Sequence, residues 1–231
     1  MKNKLNIICI ITARSGSKGL KNKNIRKLKG LPLLAYTVLA AKRSKILTRV
    51  ILSTDSKLYA NIGLKFGAEI PFIRPKNLAT STAHHPDVVN HAVKFLEKKE
   101  KFKFDYIVML QPTSPYRNAK HIDQAIKKFL NEKNDSLISI KKQDYPPWWM
   151  FLINKNRLAQ FLKFKNKNVF NLERQEFPNL FRPNGAIYIS KRKVLYQGNL
   201  VNPKSCGYYL MNEKNSIDID NILDLKVAEN I

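Results

Sequence analysis

The sequence predicts an α/β fold built around a mostly parallel sheet, and three observations support this prediction. Short, continuous apolar runs recur as far as residue 140, and each has the length of a strand that is buried on both faces. Segments whose apolar residues have helical spacing separate most of these runs. Polar loops follow the runs, at the edge of the sheet where ligands bind in such folds.

The predicted strands and helices alternate along the chain. The strands are residues 6–12, 49–53, 69–72, 106–110 and 136–140. The helices are residues 33–41, 56–66, 87–99 and 118–131, with Ser56 and Asn118 as the N-caps of the second and fourth. Because parallel strands need crossover connections, this order indicates right-handed β-α-β units.

The alternation ends where an aromatic-rich stretch begins. Residues 143–180, called the excursion below, include the pair Trp148 and Trp149. Within the excursion, segments 150–153 and 158–162 predict a β-hairpin. A concentrated apolar load on a small protrusion is typical of a partner surface, so we expect the excursion to mediate dimerisation.

The remainder of the chain returns to the main fold. We expect strands at 186–189 and 216–220 and a closing helix at 222–231. The whole of residues 1–231 is therefore interpreted as a single domain into which the excursion is inserted.

The charge of the chain is strongly positive. It has 42 Lys and Arg against 17 Asp and Glu, a formal net charge of +25. This charge has two possible explanations, a polyanionic partner or a genome whose AT-rich codons favour lysine and asparagine. Lysine outnumbers arginine by 32 to 10 and there are 23 asparagines, which favours base composition for most of the charge. A nucleic-acid-binding protein remains the alternative interpretation.

The compartment is expected to be the cytoplasm. The two cysteines are too few for a disulfide scaffold, and Cys9 lies in an apolar run as a small buried side chain. The sequence shows neither a signal-peptide pattern nor an apolar stretch long enough to span a bilayer. We therefore expect no membrane as partner, and the excess of lysine over arginine leads us to expect no nucleic acid as partner.

A basic loop follows the first predicted strand. The segment 13–19 has neither the Walker A spacing nor a dinucleotide fingerprint. Its two glycines can nonetheless present backbone N–H groups to an anion, while Arg14, Lys18 and Lys23 neutralise its charge. This pattern predicts a phosphate site, and the alternative is a solvated basic loop.

Two acids alternate with isoleucines near the end of the chain. In a strand, Ile217 and Ile219 would face the core while Asp218 and Asp220 share the opposite face. Two carboxylates beside bound phosphates are ligands that Mg²⁺ prefers. A solvated edge strand is the alternative.

Other polar groups could contact a substrate. Two prolines stiffen the segment 111–117, which could present its amide and hydroxyl groups to a base or a ribose. Arg174 could pair with a substrate carboxylate. The four histidines have no zinc-binding spacing, so we assign them no metal.

Together these motifs resemble those of the acylneuraminate cytidylyltransferase family. The family pattern Q-P-T-S-P-x-R is present at 111–117, R-P-x-x-L-A at 74–79, and I-D-I-D-x-x-x-D-L-x-x-A-E at 217–229. The chain departs from the family at Lys21, where proline is usual, and at Ser81, where an acid is usual. The opening pattern A-R-x-x-S-K-G-x-x-x-K-N is matched by Ala13, Arg14, Ser17, Lys18, Gly19, Lys23 and Asn24.

The resemblance implies a Rossmann-like nucleotidyltransferase fold. It also implies a reaction of CTP with a nonulosonic (sialic-type) acid that gives a CMP-sugar and pyrophosphate. The related keto-deoxyoctulosonate enzyme has a different opening loop, and we expect pseudaminic acid enzymes to lack the R-P-N-G-A-I-Y of 182–188. N-Acetylneuraminate or a legionaminic-type acid is therefore the expected sugar.

The resemblance further implies roles for individual residues and a homodimer. Lys23, Arg14 and Asp220 would be catalytic, and Asp218 and Asp220 would hold Mg²⁺. The nucleotide would be bound by Arg14, Ser17, Lys18, Lys23, Asn24, Arg74 and Gln111. The sugar would be bound by Arg174, Gln175, Asn184 and Tyr188.

Overall fold

Strands and helices alternate along the part of the chain that the computed structural model describes, residues 5–17, 19–154, 157–160, 162–165 and 168–231. The strands are β1 (Ile7–Thr12), β2 (Lys27–Leu28), β3 (Leu31–Pro32), β4 (Arg49–Ser53), β5 (Tyr106–Leu110), β6 (Ser136–Gln143), β7 (Phe151–Asn154), β8 (Arg157–Gln160), β9 (Leu180–Lys191) and β10 (Cys206–Leu210). The helices are α1 (Leu33–Lys42), α2 (Lys57–Lys65), α3 (His85–Glu100), α4 (Ala119–Glu132), α5 (Arg192–Tyr196) and α6 (Ile222–Glu229).

A six-stranded sheet in the order β10-β6-β9-β5-β1-β4 forms the centre of the fold. Strand β1 pairs in parallel with β4 and β5, and β10 pairs in parallel with β6. Only β9 runs antiparallel, between β5 and β6. The prediction of a mostly parallel sheet is therefore confirmed, and the carboxyl ends of β1, β4 and β5 lie at one edge.

Helices cover both faces of this sheet, which explains why the strand sequences are continuously apolar. All six residues of β1 are buried. Cys9 and Ile11 face the cluster that includes residues of α1, α2 and α4, while Ile8 and Ile10 face the cluster that includes residues of α3 and α5. Cys9 is thus a buried side chain, as predicted, and burial raises the pKa of its thiol to about 12.

Both predicted N-caps are present. The Tyr59 N–H donates to Ser56 Oγ at 3.3 Å, and the His121 N–H donates to Asn118 Oδ1 at 3.2 Å. The predicted strand at 69–72 is wrong, because only Glu69 forms a bridge, to Ile51. Pro71 lacks the N–H that would continue the ladder.

The C-terminal third differs most from the expectation. The predicted strand at 186–189 is confirmed and lies within the longer β9. The predicted strand at 216–220 is wrong. A 3₁₀ turn ends at Ser216, and irregular backbone follows, tied to the main fold by the Ile219 N–H, which donates to Thr113 O at 2.9 Å. Strand β10 and helix α5 were not predicted.

The excursion forms the expected hairpin, in which β7 and β8 pair antiparallel. Its aromatic side chains are less exposed than the sequence suggested, because Trp148, Trp149, Phe164 and Phe177 pack on one another as a small core. The side chains that stay exposed include Ile153 at 81% and Phe170 at 70%.

Candidate active site

A cavity of about 460 Å³ opens at the carboxyl ends of β1 and β5. It is also lined by the first turn of α3 and by the segment that precedes α6. The cavity brings together all but one of the predicted nucleotide-binding residues, and the exception, Lys18, lies outside the described residues. The residues gathered there are Arg14, Ser17, Lys23, Asn24, Arg74 and Gln111.

The basic loop after β1 is held by contacts from other segments. Asp55, at the end of β4, accepts hydrogen bonds from the Ser15 N–H at 2.9 Å and from Ser15 Oγ at 2.7 Å. Asn24 is buried and donates through Nδ2 to Arg14 O at 3.0 Å. The structure thus gives Asn24 a contact that holds the loop, in addition to its place in the cavity wall.

Gly19 shows why the loop needs a glycine at this point. A Cβ at Gly19 would lie 2.8 Å from Asp220 O, closer than a side chain can approach a backbone oxygen. The loop and the segment that carries the acids therefore pack backbone against backbone. This approach also brings Lys23 to the acids.

Arg74 forms part of the cavity wall and is anchored by buried contacts. Its Nε donates to Ser53 Oγ at 3.0 Å, and its Nη2 donates to Ser53 O. Burial lowers the pKa of the Arg74 guanidinium to about 10, an effect that Asp55 opposes and Arg14 reinforces. Arg74 remains a cation at neutral pH and places a fixed positive charge beside the cavity.

The two acids have different environments. Asp220 is exposed, and its Oδ1 lies 2.7 Å from Lys23 Nζ. Asp218 is partly buried, and its buried Oδ1 has no hydrogen-bond partner. Burial raises the pKa of the Asp218 carboxyl above its ordinary value, and the nearby Asp220 raises it further while Thr113 and Lys23 oppose the shift.

The alternation around these acids is present although the segment is not a strand. Ile217 and Ile219 pack in one apolar cluster with Leu20 and Leu28. Asp220 lines the cavity, and Asp218 lies beside Thr113, another residue of the cavity wall. A buried carboxylate oxygen without a partner is a suitable Mg²⁺ ligand. No group of three or more His, Cys, Asp or Glu side chains with metal-binding geometry occurs among the described residues. The pair therefore fits a metal whose other ligands are phosphate oxygens and water.

His85 is a cavity residue that the sequence analysis did not assign. It occupies the first turn of α3, with Nε2 3.4 Å from Gln111 Nε2 and Nδ1 3.5 Å from Thr12 Oγ1. Burial lowers the pKa of the imidazole, and Arg74 and Arg14 lower it further. A neutral ring, protonated at Nδ1, can accept from the Gln111 amide and thereby orient it. Its position at the start of a helix, at the ligand-binding edge, is the signal that could have identified it.

The predicted sugar-binding residues do not lie together in one chain. Tyr188, on β9, is partly buried beside Asp218, and both burial and that carboxylate raise the pKa of its phenol. Arg174 and Gln175 lie in a 3₁₀ turn of the excursion and line a separate cavity of about 420 Å³. The Arg174 guanidinium there pairs with Asp144.

The structure disagrees with a direct sugar contact for Asn184. Its side chain is buried, and its Oδ1 accepts from Ser139 Oγ at 2.6 Å and from the Ala186 N–H at 3.2 Å. Its Nδ2 donates to Ser216 Oγ at 2.9 Å. Asn184 thus joins β9 and β6 to the turn that leads into the acid segment, and its amide is not free to bind a substrate.

Comparison with known proteins shows to which family the chain belongs. The cytidylyltransferase family model matches residues 8–222, which include the basic loop, the 111–117 segment and both acids. The chain belongs to the cytidylyltransferase family. The cavity at the sheet edge is therefore the candidate active site of a nucleotidyltransferase.

Several curated relatives of this cytidylyltransferase are similar over nearly its whole length. A post-translational flagellin modification protein B of Campylobacter coli is 36% identical, over 96% of this chain and 93% of that protein. A CMP-N,N'-diacetyllegionaminic acid synthase of Legionella pneumophila is 31% identical, over 98% of this chain and 96% of the relative. An N-acylneuraminate cytidylyltransferase of Escherichia coli is 36% identical over 96% of this chain, which spans 51% of that longer protein.

Solved structures support the fold. A CMP:2-keto-3-deoxy-manno-octonic acid synthetase complexed with CTP has a TM-score of 0.69 at 15% identity, over 97% of both chains. A 4-diphosphocytidyl-2C-methyl-D-erythritol synthase of Anaerococcus prevotii has a TM-score of 0.67 at 13% identity, over 99% of this chain and 96% of that one. The Rossmann-like nucleotidyltransferase architecture implied by the motifs is thereby confirmed.

Proposed function

We propose that this cytidylyltransferase transfers CMP from CTP to a nonulosonic acid and releases pyrophosphate. The observation that carries the proposal is the single cavity in which Arg14 and Lys23 lie close to Asp220, at the edge of a sheet that has the family fold. The curated names of the relatives supply the class of acceptor sugar.

In the proposed reaction, the anomeric hydroxyl of the sugar attacks the α-phosphorus of CTP in line, and pyrophosphate leaves on the opposite side. Arg14, Ser17, Lys18 and Lys23 bind the triphosphate. Lys23 stabilises the negative charge that develops at the α-phosphate. Gln111 and Arg74 bind the cytidine, and the contacts of Asn24 keep the basic loop in place.

Asp218 and Asp220 would hold Mg²⁺ together with phosphate oxygens, and the metal when bound would neutralise charge and lower the pKa of the attacking hydroxyl. We assign proton acceptance to the Asp218 carboxylate, through the oxygen that would not bind the metal, since this residue lies beside Tyr188. Asp220, paired with Lys23, serves the phosphate half.

We infer that Arg174 and Gln175 would bind the sugar in the cleft of a second copy of the chain. Within one chain their cavity is separate from the nucleotide cavity. We therefore propose a homodimer in which the excursion of one copy reaches the cleft of the other. Exposed apolar side chains on the excursion, such as Ile153 and Phe170, support this assembly.

The decisive experiment is a panel of acceptor sugars incubated with CTP and Mg²⁺, with pyrophosphate as the readout. N-Acetylneuraminate and N,N'-diacetyllegionaminate are the expected substrates. Pseudaminic acid belongs in the panel, because a pseudaminic acid cytidylyltransferase of Campylobacter jejuni is also 31% identical to this chain. ATP and GTP should replace CTP poorly, and no pyrophosphate with any sugar would contradict the proposal.

A nucleic-acid-binding role is the competing proposal, and it rests on the net charge of +25. It predicts micromolar or tighter binding that weakens steeply with salt. Filter binding of duplex and single-stranded DNA over a salt series separates the two proposals.

We expect a cytoplasmic enzyme, since CTP is a cytoplasmic metabolite. No helix among the described residues is long and apolar enough to cross a membrane.

A further inference from the structure

Asp55 makes a two-point contact with the basic loop. It follows β4, whose last residue, Ser53, pairs with Thr12 at the end of β1. Its Oδ1 accepts the Ser15 backbone N–H at 2.9 Å, and its Oδ2 accepts the Ser15 hydroxyl at 2.7 Å. Both distances are those of well-formed hydrogen bonds to a carboxylate, and the two residues are 40 positions apart in the chain.

This contact restrains the loop from one side while Asn24 restrains it from the other. The Asn24 amide donates to Arg14 O at 3.0 Å, directly before Ser15. The Ser17 N–H then bonds to Ser15 O at 3.0 Å and closes the turn. Arg14 and Ser17, the two predicted triphosphate ligands of this turn, therefore flank a residue that Asp55 holds.

We propose that Asp55 is a positioning residue of the nucleotide site, which keeps the loop 13–17 in the conformation that binds the triphosphate of CTP. The inference rests on the proposed function for the identity of the nucleotide. Asp55 acts through Ser15 and does not itself touch the nucleotide.

The charge of Asp55 makes the proposal easy to test. A purely electrostatic effect of Asp55 on CTP affinity would have the opposite sign to the effect of a positioning role. The Asp55 carboxylate lies near the guanidinium of Arg74, whose pKa it raises against the effect of burial. A negative charge near a triphosphate site repels the ligand. If Asp55 acted only through its charge, removing that charge would strengthen CTP binding.

The test compares two substitutions at Asp55 with one at its partner. Asp55→Ala removes both contacts, whereas Asp55→Asn removes the charge but can still accept from the Ser15 N–H and donate to its hydroxyl. We expect Asp55→Ala to weaken CTP binding about tenfold or more, and Asp55→Asn to stay within about threefold of the wild type. Ser15→Ala, which keeps the N–H contact, should weaken binding about fivefold.

The binding constant is measured by calorimetry with CTP and Mg²⁺, without the sugar. Glu229→Gln is the matched control, because Glu229 is an exposed acid at the end of α6, is absent from the cavity wall, and its loss changes the net charge equally. It should leave CTP binding unchanged. The double variant Ser15→Ala/Asp55→Ala should bind CTP no more weakly than Asp55→Ala, since the hydroxyl then has no partner to lose.

Hydrogen exchange of the loop tests the positioning role independently of catalysis. The Ser15 amide should lose its protection in Asp55→Ala and keep it in Asp55→Asn. Unchanged protection in Asp55→Ala, or CTP binding in that variant as tight as in the wild type, overturns the inference. A wild-type protein that does not bind CTP overturns the proposed function instead, and with it the role assigned to the loop.

Thermal unfolding shows whether each variant is folded. If Asp55→Ala does not fold, Ser15→Ala decides the matter, because it removes a single, partly buried hydroxyl of the loop. Wild-type CTP affinity in that variant would then contradict the positioning role.

Discussion

Lys23 Nζ lies 2.7 Å from Asp220 Oδ1, and this ion pair joins two segments that are 197 residues apart in the chain. The Asp220 side chain is 71% exposed, whereas that of Lys23 is only 16% exposed. An ion pair with one solvated partner contributes little to stability. The pair can therefore open when a triphosphate and a cation enter the cavity, and Lys23 is already directed at the acids.

The first prediction concerns Lys23. Lys23→Ala should lower kcat about a hundredfold while changing the melting temperature little, because its charge matters most when the α-phosphate reacts. Steady-state kinetics with each substrate varied in turn measures both constants. Lys21→Ala is the control, since Lys21 is an exposed lysine of the same segment and is absent from the cavity wall. A similar loss of kcat in both variants would contradict the assignment.

The second prediction concerns the acids. Asp218→Asn and Asp220→Asn should each lower kcat about a hundredfold or more if the pair holds the metal. Chelation with EDTA should abolish activity, and Mg²⁺ should restore it. Calorimetric titration of Mg²⁺ into the CTP-bound wild type and variants supplies a readout besides turnover. Wild-type metal affinity and kcat in both variants would exclude the proposed metal site.

The third prediction concerns stability and follows from the raised pKa of Asp218. Because the folded state holds this proton more tightly than the unfolded state does, the carboxyl lowers stability as the pH rises above about 4. Asp218→Asn should therefore be more stable than the wild type at pH 7. The difference should shrink as the pH falls and vanish below about 4, because the carboxyl is then protonated in the unfolded state as well.

Thermal and urea unfolding over a pH series measure this effect. Asp220→Asn is the comparison, because Asp220 is exposed and paired with Lys23. It should not gain stability at pH 7. A wild type more stable than Asp218→Asn at neutral pH would show that the carboxylate is compensated in the folded protein.

The fourth prediction separates Asn184 from Tyr188. Asn184→Ala leaves buried hydroxyls of Ser139 and Ser216 without their amide partner, so it should lower the free energy of unfolding by about 3 kcal/mol. Tyr188→Phe should instead raise the KM for the sugar and leave the KM for CTP unchanged. Urea unfolding and steady-state kinetics of both variants check the division. A stable Asn184→Ala variant with a raised KM for the sugar would instead support a direct contact between Asn184 and the sugar.

The fifth prediction concerns assembly. Ile153→Glu places a charge on the exposed apolar face of the excursion hairpin and should convert the proposed homodimer to a monomer. The monomer should bind CTP normally but have a higher KM for the sugar, because Arg174 of the second copy is lost. Leu58→Glu, at an exposed leucine of α2, is the control and should remain dimeric. A wild-type monomer in light scattering at micromolar concentration would contradict the assembly.

Much of this fold could be predicted because the information is local. Continuous apolar runs identified β1, β4 and β5, and the cap residues Ser56 and Asn118 marked two helix starts. Since the carboxyl ends of parallel strands meet at one edge, the positions of the motifs after the strands were enough to gather most of the cavity residues. The inward packing of Ile217 and Ile219, which alternate with the acids, could be predicted from the polarity of the side chains alone.

The tertiary structure decided the roles that depend on residues distant in the chain. Nothing in the local sequence pairs Asp55 with Ser15, brings Gly19 against Asp220, or turns Asn184 inward to Ser139 and Ser216. The polarity of each residue largely determines whether its side chain faces water or the core, because the free energy of burial depends on that side chain's own apolar area. Which polar groups meet across the sheet edge depends on the packing of many segments at once. This packing turns Asn184 into the interior and places Asp55 against the basic loop.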